Sequence, residues 1–256
     1  MVGSRFPKAS ASDSVVFLVR TLACTYLGGH HIEAHAHHWA QLLYAGSGTM
    51  RVRAERTLWI VPPARAVWVP VGVTHEIWAR GDFAMRTLYL APSLARALPP
   101  SCLALDVSPL LRELILRAVA LGMLAQENPE HERLAGVIVD QLGEMEALPL
   151  TLPLPSDARA ARLAERLRED PSCPLDLDRL AVDAGASPRT IQRLFLAETG
   201  LRFAEWRQRL RLLHGATLLG SGSSVTEAGF EAGYASTSAF IAAFRKQFGR
   251  TPARMR

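Results

Sequence analysis

The chain has almost no lysine. Of 29 basic side chains in 256 residues, only Lys8 and Lys246 are ammonium groups, so nearly all the positive charge is guanidinium. A guanidinium keeps its proton and presents a planar fork that suits phosphate and base edges, although an arginine-favouring genome would leave the same bias. Cysteine is also scarce. Cys24, Cys102 and Cys173 are odd in number, far apart and outside any C-x-x-C pattern, which argues against a disulfide framework and for a reducing compartment. No run approaches 18 apolar residues, so no transmembrane helix and no membrane partner are expected. The most apolar early run, Val15 to Cys24, is interrupted by Arg20 and followed by no A-x-A-like cleavage site. A secretory leader is therefore not expected either, and the chain reads as cytoplasmic.

What is present is a globular composition, 49% apolar and 21% charged, with length enough for two domains. The net charge of +5 is unevenly divided. Residues 1–155 hold 13 basic and 13 acidic side chains, and residues 156–256 hold 16 and 11. All of the excess lies in the last hundred residues, where a polyanionic partner would draw it.

The same hundred residues carry a duplication. Gly185 corresponds to Gly233, Phe195 to Phe244, Gly200 to Gly249 and Ala204 to Ala253, an offset of 48 before the turn and 49 after it. In the second copy Val225, Ala228 and Ala232 fall at helical spacing. Gly233 supplies the turn, Ser236 a cap, and Phe240, Phe244 and Phe248 an inward stripe. This is helix-turn-helix grammar. The free face carries Ser236, Thr237, Ser238, Ile241, Ala242, Arg245 and Lys246. In the first copy Ser187-Pro188 opens the second helix, Ile191, Leu194 and Phe195 point inward, and Arg189, Thr190, Gln192 and Arg193 are left outward. Between the copies, Phe203 to Leu219 reads as one connecting helix with an arginine stripe at Arg202, Arg207, Arg209 and Arg211.

At Ala228-Gly229-Phe230, Gly233-Tyr234, Ser236, Ser238, Phe240, Phe244-Arg245, Phe248-Gly249 and Thr251-Pro252 the chain resembles the AraC/XylS family of transcription regulators. The resemblance implies an all-α domain over 156–256 whose two helix-turn-helix units read successive major grooves of an operator. Arg189, Thr190, Gln192 and Arg193 of the first unit then face bases or backbone, as do the outward residues of the second. Arg can bond guanine bidentately and Gln adenine, whereas the small contacts of the second unit discriminate less, with Arg245 and Lys246 nearer phosphate. A homodimer, a small-molecule effector and RNA polymerase are the further partners it implies.

Residues 1–107 follow a different rule. After a loose Ser- and Ala-rich arm of about a dozen residues come nine short β-type runs, over 15–22, 32–36, 41–45, 49–53, 57–61, 66–69, 75–79, 85–90 and 102–107, divided by Gly and Pro. Many short strands imply a barrel or sandwich. Gly29-x5-His35-x-His37-x3-Gln41-x6-Gly48 and Pro70-x-Gly72-x2-His75 resemble the two motifs of the cupin jelly rolls. Gln41 stands where cupin enzymes carry Glu, and Ala79 where the second motif carries Asn. The resemblance implies that His35, His37, Gln41 and His75 converge, which requires a bend near Trp39. Such a set can hold one divalent transition metal, Zn²⁺, Ni²⁺, Fe²⁺ or Cu²⁺, its binding weakening as pH falls through about 6.5. Alternatively the same four residues line an effector pocket without metal. His30, His31 and His38 read as surface residues, and Trp39, Trp59, Trp68, Trp78 and Tyr44 mostly as core.

Two helical patterns follow over 108–147, with stripes Leu110, Leu111, Leu114, Ile115, Ala118 and Leu134, Val137, Ile138, Gln141, Leu142. They either pack on their own barrel or make a dimer contact. Three prolines within 148–155 mark an extended linker, after which Ser156 can cap the next helix. The expected fold is thus α+β in two domains, a cupin-like β-barrel with two following helices and an all-α DNA-binding domain. The expected function is a DNA-binding regulator with an effector-sensing barrel and no enzymatic activity. The alternative is a metal-dependent cupin enzyme fused to a DNA-targeting domain, disfavoured by the missing ligating Glu and the lack of another catalytic constellation.

Overall fold

The computed structural model describes residues 16–28, 30–79, 81–145 and 147–254. The expected arm over 1–12, Val15 and Gly29 lie outside them. The first half is built from β1 (Phe17–Tyr26), β2 (His31–His35), β3 (Ala40–Ser47), β4 (Met50–Ala54), β5 (Thr57–Val61), β6 (Arg65–Val69), β7 (His75–Trp78), β8 (Phe83–Leu90), the short α1 (Pro92–Ala95) and β9 (Leu103–Asp106). Next come α2 (Pro109–Leu121), β10 (Met123–Ala125), α3 (Pro129–Gly143), β11 (Ala147–Leu148) and β12 (Thr151–Pro153). The second half is helical: α4 (Ala158–Glu169), α5 (Leu177–Asp183), α6 (Pro188–Thr199), α7 (Phe203–Gly220), α8 (Val225–Glu231) and α9 (Thr237–Phe248).

The strands form two antiparallel sheets, β10-β1-β8-β3-β6-β9-β11 and β12-β5-β4-β7-β2. Alternation decides which face turns inward. In β4, Met50, Val52 and Ala54 are buried while Arg53 is exposed, and across the pair Val52 lies opposite Trp59 and Ile77. The outer face of the larger sheet is covered by α2 and α3, whose Leu111, Ile115, Ala118, Ala135, Ile138 and Leu142 pack on Leu42, Tyr44, Leu88 and Leu90. Here the expected stripes are narrower than read, since Leu110 and Val137 are exposed at 54% and 42%. One covered sheet accommodates only the part of each stripe that faces it. Of the aromatics, Trp59, Trp68 and Tyr44 are core, while Trp39 and Trp78 are half-buried.

Two sequence readings need correction. The proline-rich segment 148–155 is not a spacer between domains, because β11 pairs with β9 and β12 with β5, with Leu150 and Leu152 fully buried. Proline lacks only its own N–H, so it is tolerated on an edge strand whose neighbours still pair. The second concerns Ser156. The cap of α4 is Asp157, which accepts from Arg159 N. Ser156 instead gives its N–H and hydroxyl to Glu198 at the C-terminal end of α6, at 2.6 and 3.0 Å.

The helical half docks on the barrel. Trp206 of α7 donates its indole N–H to the Pro153 carbonyl at 2.7 Å. At the other end of the same helix, a Cβ on Gly220 would stand 2.7 Å from Pro63 Cδ. Arg56, in the turn between β4 and β5, pairs with Glu198 at 3.4 Å, and Arg250 pairs with Asp106 of β9 at 2.7 Å. Among the described residues no helix is long and apolar enough to cross a membrane.

Candidate functional site

The duplication appears as two matching helix pairs. The supports α5 and α8 have 7 residues each and the second helices α6 and α9 have 12 each. Ser187 caps α6 by accepting from Thr190 N, and Ser236 caps α9 by accepting from Ala239 N, both at 3.2 Å. Each cap fixes where its helix begins and so which residues share a face. Ile191, Leu194 and Phe195 of α6 and Phe240, Phe244 and Phe248 of α9 are buried. Outward on α6 stand Arg189, Gln192 and Arg193, with Thr190 half-buried and its hydroxyl 2.9 Å from Ser187 Oγ. On the second unit Ser236, Ser238, Ile241, Ala242, Arg245 and Lys246 are exposed and Thr237 is half-buried. The connecting helix α7 has 18 residues, about 27 Å at 1.5 Å per residue. A cleft of about 1170 Å³ is lined by Arg189, Gln192 and Arg193 of α6, by Arg202, Gln208 and Arg211 at and along α7, and by Tyr234.

Two arginines of the stripe expected on α7 are tied down, while Arg202 is exposed. Arg207 and Arg211 donate to main-chain carbonyls of Pro171, Ser172, Cys173 and Leu175. No side-chain pattern in the chain signals this, because carbonyl acceptors carry no side-chain signature.

The barrel holds a second constellation. His35 ends β2 and lies opposite His75 of β7. The chain then leaves the strand and bends at His38 and Trp39 before β3 begins at Ala40. The ring centroids of His35 and His75 are 4.5 Å apart and those of His37 and His75 5.5 Å. One nitrogen from each of the three lies within 4.8 Å of the others. Gln41 enters from the opposite sheet. It lies opposite Tyr89 of β8, whose ring meets His37 at 5.1 Å. Thr87, two residues from Tyr89 on β8, shares its face. By contrast His30, His31 and His38 are exposed. Thr87 and Tyr89 escaped the sequence reading because they sit in a mostly apolar strand, beside Arg86, that carries no motif.

Two carbonyls orient the imidazoles. His35 Nδ1 lies 2.6 Å from Glu33 O and His75 Nδ1 3.0 Å from Val73 O. A carbonyl only accepts, so each Nδ1 carries the proton and each Nε2 presents a lone pair. Burial, with the neighbouring imidazoles adding to it, pulls His37 down to about 4. Burial pulls His75 to about 4 as well, against the Val73 hydrogen bond, which raises it. Both are thus neutral near pH 7. Burial pushes Tyr89 up to about 12, so its hydroxyl stays protonated. Among the described residues, His75 Nε2, Gln41 Oε1 and Thr87 Oγ1 are buried without a hydrogen-bond partner. Three orphaned polar atoms in one barrel interior are costly unless something bonds them. Nitrogens on one ion with bonds of about 2.1 Å stand at most about 4.2 Å apart. The donor set therefore fits a transition metal after shifts under about 1 Å.

Comparison with known proteins matches residues 180–256 to a helix-turn-helix domain family and residues 22–167 to the AraC-like ligand binding domain family. The chain is 34% identical over 233 residues to the HTH-type transcriptional regulator NimR of Escherichia coli strain K12, covering 90% of this chain and 85% of that one. It is 38% identical over 102 residues to the HTH-type transcriptional regulator RipA of Corynebacterium glutamicum, 40% of this chain and 31% of that one. Among solved structures, the DNA-binding domain of AdpA in complex with a target DNA aligns with 33% identity and a TM-score of 0.36, over 39% of this chain and 89% of that one.

Proposed function

Because the chain belongs to the AraC family of DNA-binding transcription regulators, we propose that it reads a bipartite operator with α6 and α9 and answers to a small molecule held in the barrel. The observation that carries this reading is the pair of equal-length, Ser-capped helices with outward polar faces, joined by one continuous helix. Arg189, Gln192 and Arg193 contact base edges, with Thr190 against the backbone. Ser236, Thr237, Ser238, Ile241 and Ala242 make the smaller contacts, and Arg245 and Lys246 meet phosphate. The excess positive charge of this half supports the assignment. Selection from a random-sequence duplex pool with the full-length chain tests it. A bipartite motif bound with a steep loss on added salt is expected, and a folded chain that enriches no sequence overturns it.

The effector is polar, since Gln41 and Thr87 on one wall and His75 on the other need partners. If a metal is resident, His35, His37 and His75 hold it with Gln41 completing the set, and it supplies a cationic Lewis acid to an anionic effector. The protein's own contribution is to keep His37 and His75 neutral and to orient His35 and His75 through their Nδ1 contacts. Elemental analysis of untagged protein, with His37→Ala as control, separates metal from a metal-free pocket. The relatives are transcriptional regulators, which supports a regulator without catalysis over the fused-enzyme alternative. The cytoplasm, a homodimer and contact with RNA polymerase accompany this proposal.

A further inference from the structure

The two reading units meet at one joint, and guanidinium groups fill it. Arg207 and Arg211 leave α7 one turn apart, on the same face. Arg211 donates from Nε to Pro171 O at 3.1 Å and from Nη2 to Ser172 O at 3.3 Å and Cys173 O at 3.0 Å. Arg207 donates to Leu175 O at 2.7 Å and to Cys173 O. These carbonyls belong to the turn between α4 and α5, which is part of the first unit. Against the other side of Arg211 lies the turn of the second unit. Gly233 has a φ of +81°, and a Cβ there would stand 3.1 Å from both Arg211 Cζ and Ser172 Cα. One side chain thus touches the fixed turn of each unit.

The chemistry at this joint is demanding. Two like charges one turn apart repel, and Arg207 is pulled below its ordinary value by burial and then by Arg211. Carbonyl oxygens, not carboxylates, receive them, so direction rather than net charge holds the contact. A fork that bonds three successive carbonyls fixes both distance and rotation. Lysine, with three donors on one nitrogen at the end of a flexible stem, cannot reproduce that fork.

We infer that Arg211, supported by Arg207, is a positioning residue that sets the distance and phase between α6 and α9, and hence how many base pairs separate the two stretches they read. The inference rests on the DNA-reading function proposed above. It concerns which spacing is accepted, not which bases are read. A single inserted base pair moves one stretch by about 3.4 Å and turns it by about 35°, which a rigid joint cannot follow and a loosened one can.

The test uses the full-length chain and duplexes recovered by wild type from the random pool, then rebuilt with one base pair added or removed between the halves. Wild type is expected to lose at least about tenfold on either change, in the range of a mismatched base pair or more. Arg211→Lys is expected to bind the recovered spacing several-fold more weakly while its penalty for the altered spacings falls to about twofold or less. Equal weakening at every spacing, with wild-type discrimination kept, would make Arg211 a merely structural residue and overturn the inference. Thermal melting checks that the variant is folded. Should Arg211→Lys unfold, Gly233→Ala decides, because it crowds the same joint while keeping every charge, and retained discrimination there overturns the inference equally. A wild type that recovers no motif instead removes the DNA-reading function itself.

Discussion

Arg193 and Arg245 are both exposed cations on second helices, and the proposed function gives them different work. Arg193 stands beside Gln192 on the cleft lined by α6 and α7, whereas Arg245 lies in the last turn of α9. Arg193→Ala should weaken binding to the recovered duplex by about 1–3 kcal/mol and relax preference at one or two base pairs. Arg245→Ala should weaken all sequences alike, and competition between recovered and random duplexes distinguishes the two. These outward residues were legible because a 3.6-residue period turns Arg193 away from Ile191, Leu194 and Phe195, and Arg245 away from Phe240, Phe244 and Phe248. Arg207 and Arg211 were not, since their partners are main-chain atoms brought close only by folding. The histidines show the same division. Their motif brought His35, His37 and His75 into view, but not the depth of burial that depresses His37 and His75 from 6.5 to about 4. The unfolded chain takes up these protons at higher pH than the folded one, so stability is intact above about pH 6.5 and falls as pH drops toward 4. Urea midpoints between pH 4 and 7.5 should show this, and His75→Asn should flatten the decline.

At the scale of elements, close approach decides more than propensity. Gly215 lies in the middle of α7, where alanine would ordinarily help by about 1 kcal/mol. A Cβ there would stand 2.7 Å from the Phe240 ring, which is fully buried and confined on its other side by Gly229, whose own Cβ would come within 3.2 Å. Gly215→Ala is therefore expected to overpack the joint of α7 with α9 and destabilise by about 1–2 kcal/mol. Gly136 of α3 has nothing within 4 Å of its Cβ position, so Gly136→Ala should stabilise by about 0.5–1 kcal/mol. Thermal melting that gave both changes one sign would refute the packing argument. Most elements could be read from the chain, because β4 alternates cleanly and the duplicated helices repeat at a fixed offset. β10 could not, since Met123–Ala125 continues the apolar composition of α2 after the break at Gly122. β11 and β12 were hidden by prolines, whose local preference says extended but not paired.

For the whole molecule, the second helix of each reading unit is tied to the barrel near its C-terminal end. Glu198 of α6 takes hydrogen bonds from Ser156 and Asp157 and pairs with Arg56, and Arg250, just beyond α9, pairs with Asp106. Asp106 also receives Arg65, which is 6% exposed, at 3.1 Å. Asp106→Asn should cost about 1–3 kcal/mol, since it leaves a buried guanidinium without its carboxylate. Arg250→Ala, half-exposed, should cost less than about 1 kcal/mol, and chemical denaturation of the full chain ranks them. The strand β12 leads directly into α4, so the chain passes from barrel to helices while still bonded to β5. A peptide bond must be drawn out of its surroundings over several residues before a protease can cut it. A broad-specificity protease should accordingly leave 148–155 uncut under native conditions, and the two halves should not be released as separate fragments until the barrel itself opens.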